Sequence, residues 1–187
     1  MSTRENILAA ARELFTSRGY EATSPRDIMD RAQVGQGSLY HHFRSKRQLG
    51  AEVLQSVCDD LLGVGREQLQ AHTSPQERLD GYLHADRDAL AGCRLGRFAY
   101  DAALNEQELR EPSRRYFLEM ESLLMAVFTE MEQRAGKPED LTACALAVIQ
   151  GGYVLSRIHA DAAYLRRAVE GFSALVSGRT TCGPPVQ

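Results

Sequence analysis

The chain has 187 residues, 43% of them apolar and 25% charged, with a formal net charge of −3, which are the proportions of an ordinary globular protein and exclude a disordered chain. Its four cysteines, Cys58, Cys93, Cys144 and Cys182, lie far apart with no Cys-x-x-Cys pair, which argues against a zinc knuckle or a disulfide framework and predicts free thiols. Charge is uneven: residues 1–47 hold eight Lys/Arg against five Asp/Glu, a balance of +3, whereas the remainder holds fourteen against twenty, a balance of −6.

The predicted elements are helical throughout. Ser2-x-x-Glu5 is a capping box, and Ile7, Leu8, Ala11, Leu14 and Phe15 recur at one-face spacing, so a first helix opens there and stops at Gly19. Ser24 offers its hydroxyl as the N-cap of a second, short helix, with Pro25 at the first position, Asp27 in the first turn and Ile28, Met29 and Ala32 as its apolar stripe. A tight turn at Gln33-Val34-Gly35 leads to a third short helix with Leu39 and Phe43 pointing inward. Ser45-x-x-Gln48 is another capping box and starts a long fourth helix through Leu49, Val53, Leu54, Val57 and Leu61.

Ser74-Pro75-x-Glu77 caps a helix expected to run to about Leu90, and Ala91-Gly92 breaks it before a segment from about Leu95 to Leu104. A long helix is expected after Pro112-Ser113, stopping at Gly136 before Pro138. The next, from about Pro138 to Ala160, is apolar nearly all round and rich in Ala and Gly, which predicts burial on two sides and close approach of another backbone. Its most apolar part, Leu141 to Leu155, is interrupted by Gln150, Gly151 and Gly152 and reads as short of a membrane span; with no apolar run after the opening residues, a cytoplasmic location without a secretory signal is expected. The last helix carries Leu165, Ala168, Val169, Phe172, Leu175 and Val176 on one stripe, and a flexible Gly/Pro tail is expected over residues 179–187. With no strand-like alternation and no internal repeat, the fold class is all-α.

A short capped helix, a turn of about three residues and a second short helix braced by a third make the helix-turn-helix arrangement, whose second member enters the DNA major groove. The run RENILAAARELFTSRGYEATSPRDIMDRAQVGQGSLYHHFRSKRQL resembles the N-terminal domain of TetR-family transcriptional regulators, most specifically in Gly19-Tyr20, Thr23-Ser24, Ile28, Leu39-Tyr40, Phe43 and Lys46. It departs from that pattern at Gln33, where glycine is common, and at Gly35, where serine or threonine often caps the helix; glycine is a tolerable N-cap. The stretch AGCRLGRFAYDAALNEQELREPSRRYF is similar to the regulatory domain of some members. The resemblance implies a helix-turn-helix DNA-binding domain over 1–47, joined by the long fourth helix to a helical-bundle ligand-binding and dimerisation domain over 48–178. It also implies a homodimer through the last two helices.

The roles of individual residues follow from their chemistry. With Leu39 and Phe43 four apart on the core side, Gln36, Ser38, His41 and His42 face outward or sideways. The Gln36 amide can pair with an adenine edge, Ser38 and His41 can bond to bases or phosphates, and Gly37 lets the backbone approach closely. Tyr40, His42, Ser24 and Lys46 suit phosphate contacts, and the resemblance adds Arg26 as a groove or phosphate contact. Packing or capping is the alternative for Tyr40 and His42. A metal at His41 and His42 lacks partners nearby, so neither metal nor cofactor is expected.

In the rest of the chain an apolar or aromatic small-molecule effector is expected among Phe98, Tyr100, Phe117, Met120, Leu124, Phe128, Tyr153 and His159, each of which also fits plain core packing. Filling that space would shift the fourth helix and spread two recognition helices, releasing a double-stranded palindromic operator. The chain thus reads as a repressor acting by occlusion. Two alternatives stand beside it: an architectural DNA-binding protein with no effector, and a thiol sensor through Cys93, which lies near Arg94 and Arg97. Cys93 with His84 or His159 forms no motif that fixes a nucleophile and a base, and no phosphate-cradling glycine loop is present, so no enzymatic activity is expected.

Overall fold

Among the described residues nine helices follow one another in the computed structural model: α1 (Thr3–Arg18), α2 (Pro25–Ala32), α3 (Gln36–His42), α4 (Lys46–Leu69), α5 (Pro75–Leu83), α6 (Arg94–Ala99), α7 (Gln107–Glu130), α8 (Pro138–His159) and α9 (Ala163–Val176). The structure describes residues 2–99, 105–132 and 135–178, without the side chains of 97–99, and among these there is no strand. The expected end of the sixth helical segment near Leu104, Tyr100, Cys182 and the Gly/Pro tail lie outside the described residues.

The caps form as the sequence spells them. Ser2 and Glu5, Ser24 and Asp27, and Ser74 and Glu77 each make both bonds of a capping box, which satisfies two of the amides that every helix start leaves free. At α4 the arrangement is displaced by one residue. The Gln48 amide N–H donates to Ser45 Oγ at 3.1 Å, but the Gln48 side chain accepts from the Arg44 amide at 2.9 Å. Gly19 ends α1 at φ 96°, a conformation open to glycine.

Three helix boundaries differ from expectation, one of them the end of α7, at Glu130 rather than Gly136. α5 stops at Leu83 rather than near Leu90, because the Arg87 guanidinium folds back and donates to the carbonyls of Tyr82, Leu83 and Ala85, taking up acceptors that a further turn would have used. α7 begins at Gln107 and runs through Pro112 rather than starting after it. Its first turn closes when the Leu109 and Arg110 amides donate to the Glu106 carbonyl at 3.1 and 3.0 Å. Fully buried Leu109 holds that turn in place, so tertiary packing overrides the loss of one helix bond at the proline.

The described chain divides into two compact units: residues up to Leu62 with Cys93–Leu118, and Gly63–Gly92 with the residues from Glu119. In the first, α1 packs on α2 and α3, and Ile7, Phe15, Ile28, Leu39, Phe43, Leu54 and Leu109 are buried. In the second, α8 packs on α9 and α9 on α5, around Leu79, Leu83, Leu124, Phe128, Ile149, Val169 and Phe172. α4 and α7 each contribute to both units.

Helix α8 is buried on one face in the single chain, not two. Leu141, Ala145, Ile149, Gly152 and Ser156 form the buried line, while Val154, Leu155 and Ile158 are exposed, the last by 71%. The close backbone approach is present at Gly152, where a Cβ would stand 2.9 Å from Leu165 Cα. Leu175, expected on the stripe of α9, is 73% exposed; one residue before Val176, it lies roughly 100° round the helix from the line Leu165–Val169–Phe172–Val176 that the core takes. As a whole helix of 22 residues, α8 is long and apolar enough to cross a membrane by length and composition, contrary to the reading of its central stretch. Its buried Ser156 hydroxyl instead accepts the Leu165 amide at 3.0 Å, tying it to α9.

Candidate nucleic-acid interface

The head is built around a helix-turn-helix. Ser24 caps α2: the Asp27 amide donates to Ser24 Oγ at 3.2 Å, and the Ser24 amide and hydroxyl donate to Asp27 Oδ2 at 2.7 and 2.6 Å. These bonds hold the Asp27 carboxyl below the usual carboxylate range, the hydroxyl first and the Ser24 amide second. The Ser24 hydroxyl proton is thereby engaged within the cap. Gln33 ends α2 in the left-handed region at φ 54° and ψ 47°, a conformation that costs a residue with a Cβ roughly 1 kcal/mol. Gly35, extended at φ −79°, then caps α3 without a side chain, and its carbonyl accepts from the Ser38 and Leu39 amides.

Helix α3 divides by face. Leu39 is 3% exposed and Phe43, the C-cap residue, 1%, whereas Gln36, Gly37, Tyr40 and His41 are exposed and Ser38 and His42 half-buried. Tyr40 is 44% exposed. The rings of His41 and His42 meet edge to face at 5.0 Å. Arg26 stands out from the first turn of α2 with Asp30 at 4.0 Å. Among the described residues no group of three or more His, Cys, Asp or Glu side chains is placed to hold a metal ion.

The cations around the head have distinct surroundings. Lys46 Nζ lies 4.2 Å from the centroid of the Tyr20 ring, a contact that orients the ammonium while leaving it partly accessible. Arg44 is exposed. Arg47, one residue after Lys46, is engaged by two carboxylates of the α7 start, Glu106 at 3.1 Å and Glu108 at 3.0 Å. Arg4 was not singled out in the sequence, yet its guanidinium lies 5.0 Å from the Phe43 ring and pairs with Glu52. No local motif announces it, because its partners lie far along the chain.

The residues expected around an effector differ in exposure. Met120, Leu124 and Phe128 are fully buried, Phe117 and Tyr153 half-buried, and His159 exposed, its ring stacked on Tyr164 at 4.2 Å; the side chain of Phe98 and all of Tyr100 lie outside the described residues. Of the thiols, Cys93 is half-buried, Cys144 exposed and Cys58 buried. Burial pushes the Cys58 thiol up to about 12, with a smaller contribution from Asp59, so it stays protonated and unreactive at neutral pH.

A helix-turn-helix whose second helix buries one face and exposes a polar one, followed by a helical bundle, defines a DNA-binding regulator of the helix-turn-helix class. Comparison with known proteins gives the family. Residues 7–53 match the bacterial regulatory proteins of the tetR family, and residues 81–171 match the C-terminal domain of LmrA/YxaF-like transcriptional regulators. The chain belongs to the TetR family. It is 44% identical over 89 residues to the HTH-type transcriptional repressor KstR2 of Mycolicibacterium smegmatis, an alignment covering 48% of this chain and 43% of that protein. The chain thus spans less than half the length of that relative. With the HTH-type transcriptional regulator LmrA of Bacillus subtilis it shares 26% identity over 161 residues, 82% of this chain and 86% of the relative. The crystal structure of the reduced form of NemR from E. coli superposes with a TM-score of 0.80 at 21% identity, covering 93% of this chain and 96% of that one, which establishes the common fold.

Proposed function

We propose that this chain is a transcriptional repressor that binds a palindromic operator as a homodimer and is released by a small apolar or aromatic effector. In this reading residues 1–47 are the DNA-binding domain and 48–178 the ligand-binding and dimerisation domain. The observation that carries the reading is the polar outer face of α3, Gln36, Ser38, Tyr40 and His41, lying over a buried Leu39 and Phe43. Gln36 and His41 read base edges at the major groove, with Ser38 at bases or phosphates, and Tyr40, His42, Lys46 and Arg26 fix register on the phosphates; Ser24, expected among them, has its amide and hydroxyl both committed to Asp27 Oδ2 and acts as the cap of α2. The name of the KstR2 relative favours repression, and a regulator of this kind works in the cytoplasm.

The dimer is supported by the exposed apolar side chains of α8 and α9, Val154, Leu155, Ile158 and Leu175, which a second copy would cover. Two recognition helices about 34–36 Å apart match successive major grooves. Selection of bound sequences from random duplexes tests the proposal. The expected product is one palindrome with half-sites about one helical turn apart; recovery of unrelated sequences, with affinity governed by salt alone, would reject it.

A further inference from the structure

The start of α7 belongs to the same compact unit as the helix-turn-helix, although it lies some sixty residues along the chain. Two contacts join it to the first turns of α4. Arg47 holds Glu106 and Glu108. One turn on, Gly50 sits where two side chains converge: a Cβ there would stand 2.5 Å from Tyr20 Cε2 and 3.2 Å from Leu109 Cδ2. The same stretch of α4 fixes the end of α3, since Gln48 accepts the Arg44 amide at 2.9 Å immediately after the buried C-cap Phe43. Tyr20, against Gly50, in turn carries the Lys46 ammonium on its ring. A continuous line of contacts thus runs from the first turn of α7, through Arg47 and Gly50, to the end of α3.

We infer that Arg47 is a positioning residue and not a phosphate contact: it fastens the α7 start to the head and so sets the pose of α3, making α7 a route by which events elsewhere in the chain reach the DNA face. This rests on the DNA-binding reading above. The two possible roles of Arg47 predict opposite signs for removal of its partners. A phosphate-binding Arg47 would be freed by Glu106→Gln/Glu108→Gln, and the loss of two negative charges would tighten binding further. A positioning Arg47 would lose its hold, and binding would weaken despite the more favourable charge.

The experiment measures operator affinity of the full chain between 50 and 200 mM salt for Arg47→Gln, Glu106→Gln/Glu108→Gln and, as a phosphate-contact control, Lys46→Ala. Both clamp variants are expected to weaken binding roughly two- to fivefold, the scale of an exposed ion pair, with an unchanged salt slope. Lys46→Ala should reduce the log–log slope by about 0.9. Restoration by Arg47→Glu combined with Glu106→Arg/Glu108→Arg would complete the case. Tighter binding with a steeper slope in the Glu106/Glu108 variant, or no change in either variant, overturns it. Hydrogen exchange without DNA provides the second readout: protection of the amides of Leu39–Phe43 should fall in both clamp variants. If the wild type has no preferred duplex, the DNA-binding reading fails on its own, and unaltered exchange in α3 would then reject the clamp as well.

Discussion

Gly152→Ala offers a quantitative test of how α8 and α9 pack. The added Cβ would lie 2.6 Å from Leu165 Cδ1, 2.9 Å from Leu165 Cα and 3.3 Å from Leu165 Cβ, against the roughly 3.5–4.0 Å at which carbon atoms rest. The Cδ1 methyl can rotate away, but the Cα cannot. It belongs to the first turn of α9, whose Leu165 amide is held by Ser156 Oγ one turn further along α8. Relief therefore requires the helices to separate, an overpacking cost of about 1–3 kcal/mol, set against a gain of about 1 kcal/mol from replacing a mid-helix glycine. The control is Gly63→Ala in α4, exposed and with nothing within 4 Å of its Cβ, where only the gain applies. Denaturant unfolding followed by circular dichroism at one protein concentration should place Gly152→Ala about 1–3 kcal/mol below Gly63→Ala. Equal stabilisation by the two substitutions would refute the close approach of α8 and α9.

Other substitutions probe neighbouring features. Ser156→Ala strands the buried Leu165 amide and should cost about 1–3 kcal/mol in the same unfolding assay. Asp27 contributes through its cap: its folded pKa lies below the ordinary 3.8, so the stabilisation is present above that value and is lost as pH falls through the folded one. The thermal midpoint should accordingly drop more steeply between pH 5 and 2 in the wild type than in Asp27→Asn. Among the described thiols, a maleimide at pH 7.5 should label exposed Cys144 and leave Cys58 untouched in the folded protein, read by mass spectrometry of peptides; prompt labelling of Cys58 would contradict its burial.

Local chemistry made the head legible in the sequence. Capping boxes, Pro25, Gly19 and the pair Leu39–Phe43 are all settled within a few residues, so helix starts and the buried face of α3 follow directly from reading order. The boundaries that differ depend on distant partners or on irregular backbone. Arg87 ends α5 by folding back on its carbonyls, and α7 tolerates Pro112 because Leu109 is buried in the turn before it. The same reason hid Arg4 and the engagement of Arg47: a run of cations in sequence does not say which of them carboxylates will hold. In α8, apolar composition all round indicated burial but not by what, and the single chain covers only the face that Gly152 and Ser156 share with α9.

Base readout by α3 is the claim on which the functional account stands. Its most direct test is affinity for the selected operator and for its single-base-pair variants, measured for Gln36→Ala, Tyr40→Phe and Lys46→Ala. Gln36→Ala should lose about 1–3 kcal/mol of discrimination at one base pair and little elsewhere, while the other two weaken every duplex by the same factor. A uniform loss from all three, or none from any, would contradict it.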